Sequence, residues 1–235
     1  MSNVSHADGR TRRAKQENAY KPPASPRMGE ELAIPQDGRA VIAEAAEQGV
    51  DVENIRFTQP LAGMTLTADG PEFHGCLFDG CRLLDMEIEG VFFVDVVFRD
   101  CDLSNLSMRG GVFIRCVFER CRLTGADLAE ASLTDVTFLN CKGDYLGLAQ
   151  ARCKDVRFVG CELTEAGMQE MQLARTVFEG CRLQRAELFH TPLSGIDLTT
   201  DEIDGIRLEG SELKGAIVTP LQACELARLL GLIIR

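Results

Sequence analysis

Residues 71 to 215 repeat every five residues without a break in register. In each five, the first residue is small or slim and the third is bulky and apolar, whereas the other three are mostly polar. Two inward side chains separated by one outward residue are typical of a short extended segment. Glycine often ends the five, where it permits the positive φ of a tight turn. Because such a repeat determines the whole architecture, it is interpreted before any local element.

A second period indicates how many fives close one turn. Phenylalanine and cysteine each recur every twenty residues, which predicts that four fives form one coil and that like side chains stack. The predicted fold class is all-β: a right-handed quadrilateral parallel β-helix (β-solenoid) with short N-terminal and C-terminal capping helices. The right hand follows from the strong preference of crossovers between parallel strands. The two series are Phe78, Phe98, Phe118, Phe138, Phe158, Phe178 and Cys81, Cys101, Cys121, Cys141, Cys161, Cys181.

Composition disfavours several classes of function. Among 235 residues, 36 are acidic and 25 basic, so the net charge of −11 disfavours direct binding to nucleic acid or to an anionic membrane. No apolar run approaches the ~20 residues that span a bilayer. The N-terminus also lacks the apolar stretch of a secretion signal. The sequence therefore predicts a cytoplasmic protein without a membrane segment.

Candidate catalytic and metal-binding residues are sparse. The ten cysteines follow the inward positions of the repeat rather than a metal-ligand spacing, and a buried reduced cysteine behaves as a small hydrophobe. The three histidines are scattered, and a filled rod offers no cleft for a catalytic set. We therefore predict no enzymatic activity, no catalytic residues, no cofactor and no metal.

Several fives resemble the A(D/N)LXX signature of pentapeptide-repeat proteins, among them Cys101-Asp-Leu-Ser-Asn and Ala126-Asp-Leu-Ala-Glu. The resemblance covers about 145 of the 235 residues and implies the quadrilateral β-helix of that family. The segment from Ala216 onward also resembles the closing segment of fluoroquinolone-resistance members. That resemblance implies a capping helix, a homodimer contact, and an acidic rod that mimics DNA to engage DNA gyrase. No insertion interrupts the register, so the chain resembles the members without projecting loops.

The sequence predicts four parts. Residues 1–30 read as a disordered basic and polar arm because they are polar and proline-rich. Residues 31–70 are predicted to form an N-terminal capping helix, with Asp37 as N-cap and Gly49 as C-cap, and an irregular first coil. Residues 71–218 form the repeat β-helix, and residues 219–235 form a C-terminal capping and dimerisation helix.

The C-terminal part is more apolar than a cap alone requires. One side of a helix covers the last coil, and the remaining apolar residues predict homodimerisation through this end. The residues assigned to the cap and dimer contact are Leu221, Leu226, Leu229, Leu230, Leu232 and Ile233.

Three inward positions break the pattern. Gly143 and Cys153 replace bulky residues, which predicts local underpacking or a bulge between residues 141 and 155. Asp201 takes a small inward position, where an unpaired carboxylate is costly. We predict a local bulge that brings Asp201 to backbone donors or solvent, and the alternative is a functional acid.

The twenty-residue period assigns each outward residue to one of four walls. The acidic wall (residues 87, 89, 90 and their successors) has seven acids and two bases, a net charge of −5. The phenylalanine wall (77, 79, 80) and the cysteine wall (82, 84, 85) carry −2 each, and the fourth wall (72, 74, 75) balances. On the other walls, charges that alternate from coil to coil predict ion-pair ladders. The acidic wall is the candidate interaction surface and contains Glu87, Glu89, Asp127, Glu130, Glu170, Glu187 and Glu209.

The fourth wall also carries an apolar patch, and such patches often mark contact surfaces. Its occupant is predicted to be another protein or this chain's own N-terminal segment, which offers Leu32, Ile34, Val41 and Ile42. The patch consists of Phe92, Val94, Val112 and Ile114.

These features favour a non-enzymatic, rigid protein-interaction rod whose protein partner the sequence does not identify. The alternative is a DNA-mimicking modulator of DNA gyrase, a type II topoisomerase, that confers fluoroquinolone-type antibiotic resistance. DNA mimicry needs carboxylates where phosphates would lie, and the acidic wall is the place for them.

Overall fold

The computed structural model describes residues 21–84, 86–229 and 231–233, with the side chain of Leu84 left out. Its strands pair in parallel at an offset of twenty residues, as in Phe78↔Phe98 and Phe118↔Phe138. The predicted fold class is confirmed: the chain is a right-handed quadrilateral parallel β-helix of about six turns with few helices.

The elements are short because each side of the coil accommodates only a few residues. Helix α1 spans Gly38–Gln48 and helix α2 spans Pro220–Leu229, with a 3-10 turn at Ser211–Leu213. The strands are β1 Val52–Glu53, β2 Arg56–Phe57, β3 Leu61–Ala62, β4 Thr65–Leu66, β5 Phe73–His74, β6 Leu77–Asp79, β7 Leu83–Leu84, β8 Glu87–Ile88, β9 Phe92–Val94, β10 Val97–Arg99, β11 Val112–Ile114, β12 Val117–Glu119, β13 Ser132–Leu139, β14 Arg152–Val159, β15 Gln172–Ala174 and β16 Val177–Glu179.

Two walls form one continuous sheet. Strands β1, β5, β9, β11 and β15 lie on the fourth wall, and β2, β6, β10, β12 and β16 lie on the phenylalanine wall. The eight-residue strands β13 and β14 pass around the corner between these walls and join them. On the cysteine and acidic walls, two-stranded sheets and single parallel bridges continue the ladder.

Stacked aromatic rings fill the centre of the rod. Rings on the phenylalanine wall stack from Phe57 to Phe178 with centroids 4.7 to 5.0 Å apart. Beside them, Phe73, Phe93 and Phe113 stack at 5.1 Å. Burial of each ring contributes on the order of 1.5–3 kcal/mol. Nine of the ten cysteines are buried in the same core as free thiols.

The first coil is longer than the others. Phe57 pairs with Phe78 at an offset of 21 residues, and Leu66 pairs with Ile88 at an offset of 22. Helix α1 covers this coil with Ile42 and Ala45. Asp37 accepts hydrogen bonds from the first amides of α1, and Gly49 ends the helix with a φ of 63°.

The predicted irregularity at residues 141–155 is wrong. Lys142 pairs with Glu162 and Leu133 with Cys153, both at the regular offset, so the chain has no bulge there. A Cβ at Gly143 would lie 3.1 Å from a methyl group of Leu163 and 3.3 Å from one of Leu146. Neighbouring leucines therefore fill the space that a bulky side chain would take.

Asp201 also lies in a regular coil rather than in the predicted bulge, since Arg182 pairs with Glu202 at the usual offset. Its side chain points inward and the residue is only 6% exposed. One carboxylate oxygen accepts a hydrogen bond from the Cys181 amide at 2.7 Å, and the other has no partner among the described residues. Burial raises the pKa of Asp201 to about 6.

The C-terminal end of the rod is closed by a glutamine that the pattern did not single out. Gln222 and Thr219 exchange hydrogen bonds at the start of α2, which resembles a capping box. The Gln222 amide nitrogen also donates to the carbonyls of Leu198 at 2.7 Å and Asp201 at 2.9 Å. One side chain therefore joins the helix to the last coil.

Candidate interaction surfaces

The structure places all seven predicted acids on the acidic wall. Parallel bridges run from Glu87 through Ser107, Asp127, Gly147 and Gly167 to Glu187 and Arg207, so every twentieth residue of the wall lies in one straight column. The carboxylates of this wall project from successive coils, which are separated by ~4.8 Å.

Local partners engage the acids in the middle of the acidic wall and offset part of their charge. Arg109 lies 3.6 Å from Asp127 and also pairs with Glu130, and Arg207 pairs with Glu187 at 2.7 Å. Glu170 accepts a hydrogen bond from Gln150 at 2.9 Å.

The ends of the acidic wall keep their charge. Glu87 and Glu89 near the N-terminal end, and Glu209 near the other, are exposed and form no ion pair in the part of the chain that the structure describes. The unpaired carboxylates of the wall among the described residues therefore include two neighbours at its N-terminal end, Glu87 and Glu89.

Charges on the other walls form the vertical pairs expected from their alternation. Arg82 and Arg122 lie 4.0 and 3.9 Å from Asp102, and Arg99 lies 3.0 Å from Glu119. Asp79 differs from the pattern, because it pairs with Arg56 of the first coil at 2.5 Å. Exposed pairs of this kind contribute about 0–1 kcal/mol each, so they stabilise the rod modestly.

The apolar patch is contiguous, since Phe92 pairs with Val112 and Val94 with Ile114 on adjacent strands. All four residues are half-buried.

The prediction that Leu32, Ile34, Val41 and Ile42 cover the patch is wrong for three of the four. Val41 and Ile42 belong to α1 and pack on the end of the core. Ile34 is 60% exposed. These residues were assigned to the patch because they are apolar. The exposed core at the N-terminal end of the rod also requires apolar cover, and Val41 and Ile42 provide it.

A different part of the N-terminal segment reaches this side of the rod. We call residues 22–28 the strap. The amide of Ala24 donates to Asp135 and the amide of Arg27 donates to Asp95, each at 2.9 Å. Residues 1–20 of the predicted disordered arm lie outside the described residues, but residues 21–30 rest against the rod and differ from that prediction.

The C-terminal apolar residues divide into two groups. Leu226 packs on the core, as a cap requires. Leu221 is 74% exposed, and Leu229, Leu232 and Ile233 are exposed as well, whereas Leu230 lies outside the described residues. Cys224 is the one exposed cysteine of the ten.

Burial makes Cys76, Cys116 and Cys153 poor nucleophiles. Burial raises the pKa of the Cys76 thiol to about 11 and those of Cys116 and Cys153 to about 12. Each Sγ of the cysteine column lies near a backbone carbonyl of the coil before, as Cys101 does at 3.3 Å from Phe78 O. Protonated thiols of this kind act as packing groups rather than nucleophiles.

Two described clusters combine a histidine with two carboxylates. In one of them, Glu212 accepts hydrogen bonds from the amides of His190, Glu209 and Gly210, so its oxygens already cap the chain. In the other, at the N-terminal end, His74 lies 3.1 Å from Glu72 and 3.9 Å from Asp51. His74 and Glu72 are half-buried and hydrogen-bonded to each other, and the exposed Asp51 accepts a hydrogen bond from the Glu72 amide, as ordinary surface groups do.

Two grooves lie on the surface of the rod. One of about 690 Å³ lies between α1 and β1, and another of about 560 Å³ crosses the cysteine wall beside Arg122 and Lys142. Neither groove brings together a nucleophile, a base and an oxyanion donor among the described residues. Neither described helix has the length and apolarity needed to cross a bilayer.

Comparison with known proteins agrees with this architecture. A family model described as the pentapeptide repeat region matches residues 112–188. No curated protein matches the chain.

Several solved structures are similar to the chain at low sequence identity. A trypsin-treated variant of QnrB1, a plasmid-mediated fluoroquinolone resistance protein, is 14% identical with a TM-score of 0.42, and covers 76% of this chain and 99% of its own. Rfr23 from the cyanobacterium Cyanothece 51142 is 11% identical with a TM-score of 0.27, and covers 77% and 99%. HetL from Nostoc sp. strain PCC 7120, involved in regulation of heterocyst differentiation, is 17% identical with a TM-score of 0.22, and covers 75% and 95%. Residues 112–188 are thus similar to a pentapeptide-repeat region, which agrees with the unbroken five-residue register and the twenty-residue offset between paired strands.

Proposed function

We propose that this protein is a non-enzymatic, rigid protein-interaction rod that acts in the cytoplasm. The filled core carries the proposal, because stacked rings and buried thiols leave only the outward columns free to act. Those columns hold their side chains at a fixed spacing of ~4.8 Å along the axis, which suits recognition of an extended partner surface.

A photo-crosslinking experiment tests this proposal. A crosslinker placed at Glu89 of the acidic wall, or at Thr124 of the cysteine wall as a matched control, is activated in the producing cell. We expect one protein to be captured from one wall and not from the other. Equal capture of many proteins from both walls would argue against a dedicated interaction surface.

The alternative function is modulation of DNA gyrase by DNA mimicry. The net charge of −5 on the acidic wall, with Glu87 and Glu89 exposed and free of ion pairs in the described chain, favours it. Carboxylates on a straight column present negative charge to a basic groove, as phosphates do.

A gyrase supercoiling assay with and without ciprofloxacin tests the alternative. We expect inhibition, or protection from the drug, at up to tens of micromolar protein, a range typical of modest affinity. Glutamine or asparagine at Glu87, Glu89, Asp127 and Glu130 is expected to abolish the effect. A control variant removes four acids elsewhere, at Glu44, Glu47, Asp144 and Asp204, and is expected to retain it. If the wild-type protein has no effect, this function is ruled out. If the effect survives the first variant, the acidic wall is not the surface that binds gyrase.

We further propose that two copies associate through the C-terminal end. Leu221 and Ile233 are 74% and 87% exposed although Leu226 and Gln222 already close the last coil, so the cap leaves apolar surface uncovered. A second copy offers the same surface, as a symmetric dimer requires. Light scattering should give a dimer mass at micromolar concentration, and Leu221→Glu with Ile233→Glu should give a monomer. The matched control, Ile34→Glu at the opposite end, should stay dimeric, and a monomeric wild-type protein would refute the proposal.

A further inference from the structure

The strap follows one corner of the rod, between the fourth wall and the phenylalanine wall. The corner column comprises residues 75, 95, 115, 135, 155 and 175. Along it, Lys21 interacts electrostatically with Asp155, the Ala24 amide binds Asp135 and the Arg27 amide binds Asp95. The strap therefore runs antiparallel to the order of the coils.

The spacing of the strap matches the spacing of the coils. Ala24 and Arg27 are three residues apart, and their acceptors Asp135 and Asp95 are two coils apart. Three residues of polyproline II helix rise ~9.3 Å, and two coils rise ~9.6 Å. Pro22, Pro23 and Pro26 restrict φ to values that this conformation uses. Between Ala24 and Arg27, an extended, proline-containing chain therefore keeps in register with the corner.

Ion pairs within the rod hold two carboxylates of the corner column, Asp95 and Asp155, in place. Both oxygens of Asp95 bind Arg115, at 2.6 and 2.7 Å, and Asp95 is only 13% exposed. Asp155 is held by Arg175 in the same way, with two contacts of 2.6 Å. Because these ion pairs link adjacent coils, Asp95 and Asp155 stay oriented when the strap is absent.

The strap lies on the surface of the rod, as a bound peptide ligand would. It has no regular secondary structure, and Pro23, Ala24, Pro26 and Met28 are half-buried while none is fully buried. The corner beneath it is flanked by half-buried apolar side chains on both walls, namely Val94, Ile114, Val97 and Val117. The core does not depend on the strap, so its departure is compatible with a folded rod.

We propose that the corner column is a binding groove for an extended, proline-containing peptide, and that the strap is its resident ligand, held in cis. A partner protein occupies the groove with a segment that presents backbone N–H groups three residues apart, and it must first displace the strap. This inference concerns a different surface from the acidic wall and stands independently of any action on gyrase.

A competition experiment on the full-length protein tests the proposal. The probe is a fluorescent synthetic peptide with the sequence of residues 20–30, and binding is followed by anisotropy. Pro23→Gly with Pro26→Gly weakens the strap, because glycine raises the entropy of the unbound segment. We expect the peptide to bind this variant at least about tenfold more tightly than wild type. Adding Asp135→Ala should weaken binding about tenfold, the loss typical of a hydrogen bond to a charged group, whereas Asp204→Ala on the cysteine wall should leave it unchanged.

Trypsin provides a second measurement, since Arg27 precedes a cleavable bond within the strap. Asp135→Ala leaves the Asp95–Arg115 ion pair intact and so should preserve the fold, but it should speed cleavage after Arg27 about tenfold. Absence of peptide binding to the glycine variant up to about 1 mM would overturn the proposal. Equal cleavage of the wild-type and Asp135→Ala proteins would overturn it as well.

Discussion

Asp201 makes the stability of this rod depend on pH in a direction opposite to that of most carboxylates. It occupies the next inward position after the six cysteines of the column, with one oxygen bound to the Cys181 amide and the other without a described partner. Burial raises its pKa from 3.8 to about 6. The folded state therefore binds this proton more tightly than the unfolded state does.

The size of the effect follows from linkage. Each pKa unit corresponds to about 1.4 kcal/mol, so a shift of about two units gives at most about 3 kcal/mol. Because the folded pKa is raised, this contribution is fully present below pH 3.8 and is lost as pH rises through 6. Asp95, Asp102 and Glu119 have lowered pKa values, so their contributions change only below the usual carboxylate range. The window between about pH 4.5 and 7.5 thus reports on Asp201.

The perturbation is Asp201→Asn, which removes the charge and keeps an oxygen for the Cys181 amide. We expect this variant to be more stable than wild type by about 1–3 kcal/mol at pH 7.5. The difference should shrink to about a third of that value at pH 4.5 and disappear only below pH 3.8. Urea unfolding followed by circular dichroism at both pH values measures it. Asp204→Asn, an exposed neighbour, serves as control and should not change the pH dependence. Equal stabilities of wild type and Asp201→Asn at both pH values would refute the reasoning.

Three further predictions concern the core, the thiols and the cap. Phe118→Ala should cost about 3–5 kcal/mol in urea unfolding, because its ring stacks on both sides, whereas Phe178→Ala at the end of the stack should cost less. Ellman's reagent should titrate one thiol, that of Cys224, in the native protein and ten in denaturant, and Cys224→Ser should leave none reactive in the native state. Gln222→Ala should destabilise the rod by about 1–3 kcal/mol and speed amide exchange in α2, because two carbonyls of the last coil lose their donor.

Each of these predictions has a contrary result. Equal losses for the two phenylalanine variants would show that stacking on a second side adds nothing. If several thiols of the native protein react rapidly with Ellman's reagent, the coils must open readily. Unchanged exchange in α2 of the Gln222 variant would show that the helix is held by Leu226 alone.

The sequence predicted the fold because the repeat states the inward or outward direction of nearly every side chain. Phe118 could be placed between Phe98 and Phe138 from their spacing alone, since a twenty-residue period has one geometric meaning in such a rod. The period does not predict which space a neighbouring side chain fills. Leu163 fills the space beside Gly143, and no pattern of single positions contains that information.

The strap shows a different limit. Residues 22–28 are polar and rich in proline, so composition favours disorder, yet their acceptors Asp95 and Asp135 lie 68 and 111 residues away along the chain. Periodicity carries no sign of such a contact. A signal did exist at the corner itself, where the fifth position changes from Gly75 to three aspartates and two arginines at residues 95, 115, 135, 155 and 175. For the acidic wall, the sequence placed all seven acids, but which of them remain unpaired depended on the reach of Arg109 and Arg207.

The left-handed backbone of the corner column has a consequence for engineering and for evolution. Residues 95, 115, 135, 155 and 175 all have φ between 53° and 58°, a conformation that costs a side chain about 1 kcal/mol or more and glycine almost nothing. A rod with glycine at all five positions would have a less strained backbone, but its corner column would present no side chains to a partner. Selection for stability therefore favours glycine at these five sites, whereas selection for a binding surface favours side chains there. Homologues that use the corner column should keep side chains there, and those that have abandoned it should drift towards glycine.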